Sequence, residues 1–196
     1  MNRSTIAQLI RLSLQQPRAG LRAVLALDLP QGAGLAALAL MAVASSLMLH
    51  LTLSLLPDDE QVVIAALFGS PVYTAVMQFV VLFLSVVVIH ILGRGAGGRG
   101  RFDQGLVTMA WLQFLMLVLQ AVQILVLLAL PPLAGLVGLA AMVLFLWLLT
   151  GFVAELHGFV SQTKVFFAII GTMILLALAL STILMTVLGP EAMTNV

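Results

Sequence analysis

Between Ala33 and Leu188 the chain is almost unbroken hydrocarbon, interrupted at four points by short polar or turn-forming stretches. Those breaks leave five apolar runs, Ala33 to Leu56, Val72 to Leu92, Leu106 to Leu130, Leu133 to Leu156 and Val165 to Leu188. A bilayer core requires roughly 20 apolar residues per helix, so each run has the length of a crossing. Lipid offers no partner to main-chain N–H and C=O groups, which leaves only helices and closed barrels as spanning structures. The runs lack the alternation of a barrel strand, so the sequence predicts an all-α integral membrane protein with five spans. Composition agrees: 63% of residues are hydrophobic and 8% are charged, against about 25% charged in an ordinary soluble domain. Cysteine is absent, which excludes disulfides, thiolate metal sites and cysteine nucleophiles.

The breaks have distinct chemistry. Pro57-Asp58-Asp59-Glu60 ends the first run, a glycine- and arginine-rich stretch separates the second from the third, Pro131-Pro132 makes a tight turn, and Glu155 to Lys164 holds the last loop. The expected organisation is an amphipathic segment over 1–30, a transmembrane domain over 31–190 and a tail over 191–196. The first run also carries Ala42-Val43-Ala44, which resembles a cleavage site. A signal h-region extends only about 7 to 15 residues, so an uncleaved helix is expected.

The eight basic residues are all on one side of this topology. Arg3, Arg11, Arg18 and Arg22 precede the first span, Arg94, Arg99 and Arg101 lie between the second and third, and Lys164 lies between the fourth and fifth. Basic residues are retained on the cytoplasmic side, which predicts a cytoplasmic amino terminus and, after five crossings, a periplasmic carboxyl terminus in a bacterial inner membrane. Asp58, Asp59, Glu60 and Glu191 fall on the opposite face.

Before the first span, Ile6, Leu9, Ile10 and Leu14 share one helical face and Gln8, Arg11 and Gln15 the other; Pro17 then divides this helix from a second, Arg18 to Leu27. The pattern fits helices lying on the cytoplasmic leaflet and equally helices packed on the bundle, because amphipathicity does not distinguish lipid from protein. A short outer helix over Glu60 to Phe68 is also expected.

Gly95, Gly97 and Gly100 spell the G-x-G-x-x-G pattern of a dinucleotide site. That fingerprint requires a preceding strand and an acid about 20 residues later. Here a spanning helix precedes it and no acid occurs between Gln104 and Ala154, so neither nucleotide nor nucleic acid is expected as a partner. The segment reads as a basic hairpin meeting anionic lipid headgroups.

Two polar groupings are the candidate functional residues. His90, Arg94, Arg99, Arg101, Asp103, Glu155, His157 and Lys164 gather toward the cytoplasmic face, and Gln113, Gln120 and Gln123 form a stripe within an arc of about 80° on the third span. The first grouping reads as a hydrogen-bond and ion-pair cluster. A metal centre is not expected, since Glu155 and His157 stand two apart on a helix and point to different sides. The stripe fits interhelical hydrogen bonds, with a polar transport path as the alternative. Small residues in the first and fourth spans, including Ala42, Gly135 and Gly138, favour close helix contact. No catalytic motif and no cofactor signature is present.

The order of these parts resembles the Yip1 domain family in its bacterial branch. The resemblance rests on Asp28-Leu29-Pro30 before the first span, on Gly100-Arg101-Phe102-Asp103-Gln104 after the basic hairpin, and on the Phe152-Val153-Ala154-Glu155-Leu156-His157-Gly158-Phe159 stretch. It implies a five-helix membrane bundle with a cytoplasmic amino terminus. Eukaryotic members are linked to Rab GTPases. In the third span this chain has Met109-Ala110-Trp111-Leu112-Gln113, where those members tend to have glycine and tyrosine leading to a proline. The resulting expectation is a non-enzymatic accessory or organising subunit that meets another membrane protein or its own copies through lateral helix contacts. A small transporter or channel, or a protein handling anionic lipid, is the alternative.

Overall fold

The computed structural model describes residues 3–27, 29–55 and 69–188. Helices α1 (Arg3–Gln15) and α2 (Pro17–Leu25) precede the spans α3 (Ala33–Leu53), α4 (Pro71–Gly95), α5 (Phe102–Ala129), α6 (Ala134–His157) and α7 (Gln162–Leu188), with a 3₁₀ turn at Pro131–Leu133. No strand occurs among the described residues. The five longer helices are each long and apolar enough to cross a membrane. The expected helix over Glu60 to Phe68, the acids 58–60 and Glu191 lie outside the described residues.

Local chemistry sets the helix ends. Pro17 opens α2, and Pro71 opens α4 behind Ser70, whose hydroxyl accepts from the Tyr73 N–H at 3.3 Å. Helix α4 runs past Leu92, through Arg94 into the glycine stretch, and ends where Gly97 takes a φ of 86°. Helix α5 begins earlier than its apolar run, at Phe102. The Arg101 main-chain N–H donates to the Gln104 side-chain oxygen at 3.4 Å and so recruits the polar residues into the first turn.

The chain divides into two compact units, residues 1–159 and 160–196. In the first unit α3 packs on α4 and α5, and α5 packs on α6. Leu38 and Ala42 of α3, Val86 of α4, Leu112 of α5 and Leu148 and Phe152 of α6 form its buried centre. The outward faces are equally apolar: Leu40, Val72 and Leu136 are 63%, 74% and 65% exposed. A helix apolar all round with half of its surface uncovered belongs in hydrocarbon.

The amino-terminal helices pack on the bundle, the second of the two arrangements their pattern allows. Helix α2 rests on α6 and α5, and α1 rests on α2. The buried face of α1 is Leu9 and Ser13, while Leu14 is 40% exposed. The shift follows from Ser13, whose hydroxyl accepts the Trp111 indole N–H at 3.0 Å and lies against Gly20.

In the second unit, α7 satisfies its hydroxyls along its own backbone. Thr172 donates to the Ala168 carbonyl and Thr182 to the Leu178 carbonyl, each at 2.8 Å. Such back-bonding keeps these hydroxyl hydrogens from facing lipid without an acceptor.

Candidate functional site

The basic end of the first unit is built from two helix C-termini capped in the same way. At the end of α4 the Gly97 N–H donates to the Arg94 carbonyl at 3.0 Å and the Gly98 N–H to the Gly93 carbonyl at 2.8 Å. At the end of α6 the Gly158 N–H donates to the Glu155 carbonyl at 3.1 Å and the Phe159 N–H to the Ala154 carbonyl at 2.8 Å, with Gly158 at a φ of 71°. Both are Schellman caps, which need a left-handed residue after the helix and therefore favour glycine. The Arg99 N–H donates to the His157 carbonyl at 3.1 Å and ties one cap to the other.

His157 fills the space between the caps and is 2% exposed. Its ring lies against Gly93, Gly98 and Gly100, where side chains would occupy the same volume. Phe159 stacks on it at 5.6 Å. The Nδ1 atom lies 3.3 Å from the Val153 carbonyl, whereas Nε2 is buried without a hydrogen-bond partner among the described residues. Of the glycines in the apparent nucleotide fingerprint only Gly100 borders this imidazole, in a slot completed by Gly93 and Gly98, while an added methyl on Gly95 or Gly97 would meet nothing among the described residues.

Two residues back along α6 and on the opposite side of the helix, Glu155 holds α2. Its carboxylate accepts from Arg18 Nε at 3.1 Å and from Arg22 Nε at 2.8 Å. Arg18 and Arg22 are one helical turn apart, so both reach the same acid. Glu155 raises the Arg22 guanidinium above its ordinary value, through the side-chain hydrogen bond first and the opposite charge second. On the same interface Pro17 sits against Gly151, with no room for a methyl group there.

The remaining predicted residues are more open. Arg101 pairs with Asp103 in a two-point contact, Nε to Oδ1 at 3.1 Å and Nη2 to Oδ2 at 2.8 Å. His90 meets Phe102 edge-on at 5.6 Å, and Phe83 meets the same ring at 5.9 Å, so aromatic side chains fix the start of α5 on α4. Arg94 and Arg99 are exposed and form no ion pair among the described residues. Lys164 belongs to the second unit, where its main-chain N–H donates to Ser161 Oγ at 3.3 Å. Among the described residues no three His, Asp or Glu side chains are grouped to hold a metal ion.

The glutamine stripe serves two different interfaces. Gln113 donates to Ser45 Oγ on α3 at 2.7 Å, and Ser45 passes its own proton to the Met41 carbonyl at 2.7 Å. Gln123 faces Gly138 on α6, its amide nitrogen 3.3 Å from where a Cβ there would lie. Gln120 makes no hydrogen bond among the described residues and is partly exposed.

The family model for the Yip1 domain matches residues 11–184, from within α1 to near the end of α7. The chain belongs to the Yip1 domain family. Neither a curated protein nor a solved structure matches it. Within this Yip1 chain, the Arg101-Phe102-Asp103-Gln104 segment forms the first turn of α5, and Phe152 to Phe159 supplies a core ring, the acid for α2 and the capped histidine.

Sequence reasoning placed the acid and the histidine but missed their partners. Arg18 and Arg22 stood one turn apart in α2, and Glu155 was the sole acid at the end of an otherwise apolar span; that complementarity was the available signal. Pro17, Gly151, Gly93 and Gly98 gave none, because a glycine that admits a neighbour looks the same in sequence as one facing lipid.

Proposed function

We propose that this Yip1 domain protein is a non-enzymatic accessory or organising subunit of a bacterial inner membrane, with its basic end in the cytoplasm, meeting a partner laterally through its spans and at this charged end. The observation that carries the reading is the unequal treatment of the arginines. Arg18 and Arg22 are consumed by Glu155 in holding α2, whereas Arg94 and Arg99 have no ion-pair partner among the described residues and project from a double cap that is fixed by main-chain hydrogen bonds. A rigid cationic edge beside apolar spans suits a partner that is itself embedded and carries acids at the same depth. The glutamines support this reading over a transport path, since Gln113 and Gln123 are directed to α3 and α6 separately.

The test is isolation of the tagged full chain in mild detergent, followed by mass determination and identification of bound proteins, for the natural sequence and for Arg94→Glu with Arg99→Glu. A stoichiometric membrane partner, or a second copy, that is lost on charge reversal supports the proposal. A lone monomer in both preparations counts against it.

A further inference from the structure

A cavity of about 530 Å³ opens between the end of α2 and the first turns of α3 and α5. Its size falls within the range of small-molecule pockets. Its position is set by two helices that both begin there and are each long and apolar enough to cross a membrane. The wall is of two kinds. Leu29 and Leu35, 46% and 43% exposed, and Val107 supply hydrocarbon, while Arg101 and Asp103 supply one charge of each sign. The amides of Gly34 and Leu35, both in the wall, have no acceptor among the described residues, whereas the Ala33 and Ala36 N–H groups on either side donate to the Pro30 and Gly32 carbonyls.

We propose that this cavity is a headgroup site for an ethanolamine phospholipid of the surrounding bilayer. The phosphate takes the Arg101 guanidinium and the open amides of α3, the primary ammonium takes the Asp103 carboxylate, and the acyl chains leave over Leu29 and Leu35. The Arg101–Asp103 pair is exposed on both sides, at 72% and 63%; such a pair contributes little by itself and opens readily to exchange its partners. Each charge of the headgroup then has an opposite one, and the site remains neutral. A glycerol headgroup would bring an anion with nothing for Asp103. A choline headgroup has no N–H to donate to a carboxylate, and the wall carries no aromatic ring of the kind that receives quaternary ammonium.

The experiment is native mass spectrometry of the full chain in detergent micelles doped with equal amounts of palmitoyl-oleoyl phosphatidylethanolamine, phosphatidylglycerol and phosphatidylcholine. With one charge-assisted contact, ammonium to Asp103, distinguishing the headgroups, the one-lipid complex with phosphatidylethanolamine should exceed either of the others by about tenfold. Asp103→Asn should remove that preference and raise phosphatidylglycerol relative to it, and Arg101→Gln should lower retention of all three. Both side chains are exposed, so the unfolding temperature in lipid-free detergent should be unchanged, which separates lost binding from lost folding. Equal retention of the three lipids by the natural chain, or a preference that survives both substitutions, would overturn the site.

Discussion

Pro17 at the start of α2 lies in the notch that Gly151 leaves on α6, and the point where a Gly151 methyl would project is already occupied by the proline ring. The contact is rigid on both sides, since neither a proline ring nor a helix backbone yields by rotating a side chain. Gly151→Ala should therefore push α2 off α6 and destabilise the first unit by about 1–3 kcal/mol. Thermal unfolding in detergent measures the loss, and faster proteolysis between α1 and α3 locates it. Gly135→Ala, on the same helix where an added methyl meets nothing within 4 Å, serves as the control and should be neutral or slightly stabilising.

The Glu155 pairs should be unequal. Arg18 is 32% exposed at its side chain and Arg22 is 70% exposed, so water screens the second pair far more than the first. Arg18→Ala should lower stability by on the order of 1 kcal/mol, and Arg22→Ala by less. Glu155→Gln should approach the loss seen when both arginines are removed together. Repeating the unfolding measurements at high salt should shrink the Arg22→Ala loss by a larger fraction than the Arg18→Ala loss, because screening weakens exposed pairs most. A ranking with Arg22 first would contradict the geometry.

The extent of what the sequence made legible follows from what lipid demands. Five spans were readable because hydrocarbon thickness imposes a length and forbids unpaired backbone, a constraint that acts on every residue of a run. Their ends were readable only to within a few residues: Arg94 and Phe102 are helical although they lie outside the apolar runs, because a Schellman cap and a capping glutamine extend a helix beyond its hydrophobic stretch. The candidate cluster was legible as composition and not as pairing. Glu155 is 137 residues from Arg18 in sequence, and no local pattern reports which of several arginines reaches an acid across a fold. Around His157 only Gly100 belonged to a visible pattern, one whose usual meaning is a phosphate site, and Gly93 and Gly98 belonged to none; their use as a slot for a ring depends on α6 arriving beside α4.

His157 and Gly93 should be energetically coupled. A methyl on Gly93 would meet the imidazole at Nε2, an atom that has no hydrogen bond to lose among the described residues. Gly93→Ala alone should be destabilising, by about 1–3 kcal/mol for an overpacked site. His157→Ala alone leaves a cavity. Together the new methyl enters the vacated space, so the double variant should be more stable than the sum of the single losses predicts, with a coupling of about 0.5–3 kcal/mol. Strict additivity in a double-mutant cycle would show that the ring does not occupy the slot.

Gln113 and Gln120 should respond differently to the same substitution. Gln113→Leu removes the bond to Ser45 across the α3–α5 interface and should cost about 0.6–2 kcal/mol. Gln120→Leu removes an amide with no partner among the described residues and exchanges it for a side chain that lipid prefers, so stability should hold or rise. Unfolding of both variants in one detergent checks the contrast. Retained ion or solute flux in proteoliposomes containing the folded Gln113→Leu variant would further support a structural role for the stripe, while abolished flux would restore the transport reading.

The orientation proposed for the chain can be tested directly because the natural sequence has no cysteine. Single cysteines at position 2, at Arg99 in the hairpin and at position 196 each provide one thiol on an otherwise unreactive protein. Basic residues precede α3 and lie between α4 and α5, and in the proposed orientation the tendency of such residues to stay inside puts all of them on the cytoplasmic side. A membrane-impermeant maleimide added to intact spheroplasts should label position 196 and spare position 2 and Arg99→Cys, which should react only after the membrane is permeabilised. Labelling of Arg99→Cys in intact spheroplasts would place the arginine edge outside the cell and remove the cytoplasmic face on which the proposed partner contact depends.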